Sequence, residues 1–125
     1  MTAIATLKDA RITPRKAAEV VSLVRGRTVA DALVILENTP RKVAVMVKQA
    51  VQSAAANAEH NHGFKPDSLY IAEISVSPGM RMKRFRPVWH GQAHGFERIT
   101  SHIRVVVDGQ LRPVKPVKTP TKEKK

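Results

Sequence analysis

The chain has no cysteine among its 125 residues. Disulfides, thiolate-held metals and a cysteine nucleophile are therefore excluded, which suits a cytosolic setting without proving one. Aromatics make up only 4% (Trp89, Tyr70 and three Phe), so Val, Ala, Ile and Leu must fill the core. No apolar run approaches the ~20 residues a helix needs to cross a bilayer. The opening MTAIATLKDAR lacks the basic-then-apolar order of a signal peptide. Acids are scarce too. Ten Asp and Glu face 22 Lys and Arg, for a formal charge of +12 and a pI near 10.8. Such an excess repels itself in a free chain and favours a polyanionic partner.

A chain of 125 residues is expected to form one domain. The stretch Ala3–Ala10 favours a strand through Ile4, Thr6 and Leu7. Thr13-Pro14 is a helix start: Thr can accept from an orphan backbone N–H, and Pro suits the first helical position. Ala17, Val20, Val21 and Val24 then fall at helical spacing, and Gly26 is placed to end the helix in a left-handed turn. Residues 29–36 predict a short second helix burying Ala32, Leu33, Ile35 and Leu36. Thr39-Pro40 repeats the start signal. The helix predicted over 40–61, about 33 Å long, has Val43, Val47, Ala50, Val51, Ala54 and Ala58 on one face. Arg41 and Lys42 fall in its first turn, where the helix dipole disfavours cations, which suggests an external anion there.

Gly63 is the expected cap of that helix, and 65–68 a turn. Residues 69–77 then alternate, with Tyr70, Ala72, Ile74 and Val76 on the expected core side. Ile103, Val105 and Val107 answer them on a return strand. The tail 110–125 is rich in Pro and Lys, carries a net +5, and is expected to be disordered in isolation.

Between the two strands lies 78–102, PGMRMKRFRPVWHGQAHGFERITSH. The core-facing parity continues through Met80 and Met82 and then meets Arg84 and Arg86, while Arg81 and Lys83 hold the other parity. Unpaired buried Arg is prohibitive, so from position 84 outward neither face can rest on this protein's own core. Length agrees. An extended strand over 69–86 covers roughly 60 Å, whereas a compact chain of this size has a radius of gyration of about 14 Å. The outer part must protrude as a basic β-arm. Pro87, Gly91 and Gly95 predict an irregular tip. The cations suit phosphates, and Phe85 and Trp89 suit stacking on unpaired bases.

Catalytic chemistry finds no support. His60, His62, His90, His94 and His102 invite a metal, but Gly91 and Gly95 argue against the helix that would align His90 with His94, and no carboxylate joins them locally. Ser53, Ser101, His102 and Glu97 form no nucleophile set, and no phosphate-cradling glycine loop is present. The expectation is a non-enzyme with no cofactor, no metal, no small-molecule substrate and no membrane partner.

The order of motifs resembles the bacterial large-subunit ribosomal protein family numbered twenty-two. The carrying residues are Thr13-Pro14-Arg15-Lys16, Val24-Arg25-Gly26-Arg27, Thr39-Pro40-Arg41-Lys42, the run SAAANAEHN at 53–61, Lys83-Arg84-Phe85-Arg86-Pro87 and Thr100-Ser101-His102-Ile103. The resemblance covers about 3–108 and implies an α+β fold: three helices packed on a small antiparallel sheet of about three strands, with a long protruding hairpin. It implies one rRNA-binding domain at 1–109 and a separate tail. The implied role is cytoplasmic and ribosome-bound. Large-subunit (23S) rRNA and neighbouring ribosomal proteins would be partners, and the hairpin would line the nascent-peptide exit tunnel near its constriction, close to where macrolides bind. The implied rRNA contacts on the arm are Arg81, Lys83, Arg84, Arg86, Trp89, His90, Arg98, Thr100, Ser101 and His102. On the body they are Arg15, Lys16, Arg25, Arg27, Arg41, Lys42, Asn57, His60 and Asn61. The tunnel-facing tip would be Val88, Trp89, His90, Gly91 and Gln92. There the chain departs from the family's pattern, since Val88, His90 and Gln92 stand where basic residues are usual. The competing expectation is a DNA-architectural protein that wraps the minor groove with its basic arm.

Overall fold

Three antiparallel strands form the floor of the fold, in the order β1-β3-β2. In the computed structural model, which describes residues 2–111, β1 spans Ala3–Ala10, β2 Tyr70–Pro87 and β3 Ala93–Asp108. Three helices complete an α+β architecture: α1 Pro14–Val24, α2 Val29–Asn38 and α3 Lys42–His62. The β2–β3 hairpin is far longer than β1, and its outer half is the protruding arm.

Local signals set most helix ends. Pro14 opens α1, and Gly26 at φ +76° turns the chain after it. Thr13 occupies the N-cap position, but its hydroxyl makes no cap bond. That role falls instead to Thr28, whose Oγ1 accepts from the Asp31 N–H at 3.3 Å to start α2. α3 begins at Lys42 with Arg41 as N-cap, two residues later than expected. It ends at left-handed Gly63, where the Phe64 N–H reaches back to the Ala58 carbonyl at 3.1 Å and the Phe64 ring is buried.

The predicted face of α3 is the buried one: Val43, Val47, Ala50, Val51, Ala54 and Ala58. Its small side chains let the helix lie on β1 and β3. With aromatics scarce, Phe64 is the only one in the core; Ile71, Ile74, Ile103 and a set of valines fill the rest.

One expectation about β2 changes. Tyr70 and Ala72 are exposed, and Ile71 takes the core side with Ile74. The reason is a bulge. Ile71 pairs with Val107 and Glu73 with Val106, so Ala72 is an extra residue and the parity flips across it. Beyond 77 the ladder runs on along the expected β-arm. It continues to Pro87↔Ala93, leaving only 88–92 irregular. That tip is a tight 3-10 turn at Trp89–Gly91, with His90 and Gly91 at φ 58° and 67° and the Val88 N–H bonded to the Gln92 carbonyl at 2.9 Å.

Two residues after Gly109 also touch the body. The Gln110 carbonyl accepts from the Lys65 N–H at 2.8 Å, and Leu111 bridges to Phe64. The remaining tail, for which disorder was expected, lies outside the described residues.

Candidate nucleic-acid interface

The arm leaves the body where β1 ends, and two bulges meet there. On β1, Lys8 and Asp9 are inserted between the Leu7↔Ile103 and Ala10↔Ser101 pairs, with Asp9 at φ 56°. On β2, Gly79 and Met80 stand opposite the single residue Thr100. Three side chains of β3 fasten both. The Ser101 hydroxyl donates to the Ile12 carbonyl at 2.6 Å, the Thr100 hydroxyl donates to the Met80 carbonyl at 2.8 Å, and His102 Nδ1 accepts from the Asp9 N–H at 3.1 Å. Gly79 is required by space: a Cβ there would stand 2.7 Å from Thr100 Oγ1 and 3.0 Å from the His102 ring.

These bonds commit the hydroxyls of Thr100 and Ser101, both expected as contact residues, to partners inside the protein. Ser101 is fully buried and Thr100 is 3% exposed, so neither presents a surface to a partner. They belong to the arm's root. His102 is half-buried, with one ring nitrogen already engaged.

Beyond the root the ribbon has two unlike faces, because residues alternate and opposed residues share a side. One face carries Met82, Arg84, Arg86, His94, Phe96 and Arg98. Arg86 and Arg98 lie over the Phe96 ring at 5.1 and 5.7 Å, which holds two guanidinium groups in place by cation–π attraction. The other face carries Arg81, Lys83, Phe85 and Pro87 against Ile99, Glu97, Gly95 and Ala93. Arg81 pairs with Glu97 at 3.2 Å. Phe85 is 77% exposed, since Gly95 opposite it offers no side chain. Trp89 at the tip is 76% exposed and stands edge-on to His90 at 4.5 Å.

Between arm and body lies a cleft of about 570 Å³. Arg11 and Lys16 line it from α1 and the segment before it, Lys42 from the start of α3, and Arg84 and Arg98 from the two arm strands; Met82, Ile99 and Thr13 add to its wall. The structure thus gathers four of the expected residues, Lys16, Lys42, Arg84 and Arg98, from positions far apart in the chain. It adds Arg11, which was not among the expected contacts. Arg15 is exposed in the first turn of α1 but does not line the cleft, and Arg41 pairs with Glu19 at 3.7 Å.

The other body candidates fall elsewhere. Arg25 and Arg27 follow α1 and are partly engaged, through the Ile74 carbonyl at 3.2 Å and the Leu23 carbonyl at 3.1 Å. Asn57 fastens α3 to β1 through the Ile4 carbonyl at 3.2 Å, while His60 and Asn61 are exposed near the end of α3. His90 sits in the tip turn and His94 opposite Arg86, so no helix aligns them. Among the described residues no three His, Cys, Asp or Glu side chains gather as metal ligands.

Fold and charge together define a class: a small α+β body from which a cationic β-ribbon projects with no core beneath it. Residues 5–108 match the family described as ribosomal protein L22p/L17e. The chain belongs to that family. It is 49% identical over 107 residues to the large ribosomal subunit protein uL22 of Clostridioides difficile, covering 86% of this chain and 96% of the relative. The uL22 of Lactobacillus helveticus is 48% identical over 103 residues, covering 82% and 88%, and that of Lacticaseibacillus casei 47% over 105 residues, covering 84% and 90%.

Proposed function

We propose that this protein is a non-enzymatic structural constituent of the large ribosomal subunit, cytoplasmic and ribosome-bound, that binds large-subunit rRNA through its arm and body and supports assembly. Family membership and the names of its relatives support the location. The observation that carries the binding reading is the ribbon beyond the root. From Arg81 outward it has cations on both faces and no hydrophobic floor. A bare two-stranded ribbon is marginal in water, so a partner must order it, and a polyanion fits. The exposed Phe85 and Trp89 add stacking surfaces for unpaired bases. In this reading neighbouring ribosomal proteins share the rRNA surface. The tip, Val88 to Gln92, reaches the exit tunnel, where Trp89 stacks on a base or narrows the wall beside the nascent polypeptide.

Two measurements test it. Sedimentation of a cell lysate through sucrose should place the chain with large subunits even after a salt wash; absence from that fraction refutes the reading. In filter binding to large-subunit rRNA, changing Lys83, Arg84 and Arg86 together to Ala should weaken affinity. It should also flatten the log–log salt slope by about 2 to 3 units if each contacts one phosphate. Tighter binding to duplex DNA than to rRNA would favour the DNA-architectural alternative.

A further inference from the structure

We propose that Phe96 is a positioning residue of the arm: its ring holds the guanidinium groups of Arg86 and Arg98 in a fixed array, with their charge and N–H donors still free for a phosphodiester partner. This rests on the rRNA-binding reading and goes beyond it, because Phe96 itself needs no contact with RNA.

Phe96 lies on β3 directly opposite Arg84, with Arg98 two residues along its own strand and Arg86 diagonally across, opposite His94. These side chains share one face of the ribbon. The ring engages two of the three cations: the Arg86 Cζ lies 5.1 Å from its centroid and that of Arg98 5.7 Å. The guanidinium of Arg84, its partner in the ladder, donates instead to the Lys83 carbonyl at 2.9 Å. Phe96 is half-buried although no core lies beneath the ribbon, whereas Phe85 on the other face is 77% exposed. Side chains of its own face supply that cover.

How an arginine is held decides what it can still do. A carboxylate holds it by cancelling its charge and taking up its donors. That is the state of Arg81, paired with Glu97 at 3.2 Å on the other face. No such pair engages Arg86 or Arg98 among the described residues. An aromatic face attracts the cation through its quadrupole and leaves the charge in place. The N–H fork then stays available to phosphate oxygens. Long side chains that are loose in water must be ordered on binding, which weakens affinity. On a ribbon without a floor no core packing can order them beforehand, and the Phe96 ring takes that role for two of them.

The test uses the full chain and a large-subunit rRNA transcript, with filter binding over a range of salt. Phe96→Leu keeps an apolar side chain and removes the π face. It should weaken affinity about tenfold at every salt concentration, since two side chains must then be ordered on binding. The log–log salt slope should stay the same, because the same phosphates are met. Phe96→Tyr keeps the π face and should bind like the unaltered chain. In a chain that already carries Arg86→Ala and Arg98→Ala, Phe96→Leu should cost nothing further. In nuclear magnetic resonance spectra of the free, nitrogen-labelled chain, Phe96→Leu should abolish the ring-current displacement of the Arg86 and Arg98 Nε–H signals and leave the backbone amides of β2 and β3 in place. Unchanged affinity in Phe96→Leu overturns the proposal. So does an equal loss in the Arg86→Ala, Arg98→Ala chain, which would mean that the ring touches RNA itself. Displaced backbone amides throughout the arm overturn it as well, because the ring would then build the ribbon and not order the guanidinium groups. Failure of the unaltered chain to bind the transcript refutes the functional reading beneath it, while the Nε–H signals still report whether the ring holds the two arginines.

Discussion

Gly79 and Ser101 show how single residues fix where the arm points. Gly79→Ala puts a methyl group 2.7 Å from a hydroxyl that is itself committed to the Met80 carbonyl. Relief requires breaking that bond or opening the bulge, and the expected cost is about 1–3 kcal/mol in urea unfolding. Ser101→Ala leaves the Ile12 carbonyl without its donor, again for about 1–3 kcal/mol. Because Ser101 faces inward, its loss should lower stability and leave the salt slope of rRNA binding unchanged. A flattened slope with normal stability would return Ser101 to the contact surface. At this scale the sequence misleads in a specific way. Thr100-Ser101-His102 sits beside a cationic arm, and polar residues there look like contacts. Only the register of β1 against β3 turns them inward. Thr13 is a similar case, with a capping residue in the capping position and no bond made.

At the scale of elements, α3 and the arm are opposites. The buried face of α3 is readable because its apolar residues repeat at helical spacing and every one of them meets the core. The arm is readable by the reverse signal, since Arg and Lys on both parities exclude a core beneath it. What the pattern hides is the pair of bulges in β2. Each adds one residue on one strand only, so the parity argument started from Tyr70 is off by one until Ala72 corrects it. The body should not need the outer arm to fold. Replacing residues 83–97 by Asn-Gly, a two-residue hairpin turn that joins the Met82↔Arg98 pair, keeps the root and discards only ribbon without a floor. Circular dichroism of that variant should show a cooperative unfolding transition with a midpoint close to that of the full chain. Loss of cooperative folding would mean that the ribbon stabilises the body.

Over the whole molecule, a formal charge of +12 meets only four ion pairs among the described residues, each at least partly exposed. Exposed pairs contribute little, so net repulsion dominates the electrostatics of the free protein. Raising the ionic strength from low to molar salt should therefore raise its melting temperature without RNA, as screening weakens the repulsion. A fall on adding salt would show that the surface pairs outweigh it. The same salt weakens the complex with RNA, so the two dependences should have opposite signs.

The sequence by itself determined that this chain has three helices, a strand pair and a protrusion that cannot fold back on itself. Those follow from periodicity and from the cost of burying charge, both local along the chain. It also determined the family, through motifs spaced over most of the chain. Only the tertiary structure decided which cations meet. Arg11, Lys16, Lys42, Arg84 and Arg98 come from separate segments, and nothing in their spacing brings them to one cleft. Their meeting depends on the angle at which the ribbon leaves the sheet. That angle is set by two bulges and three inward-facing side chains at the root, through contacts between residues some 90 positions apart.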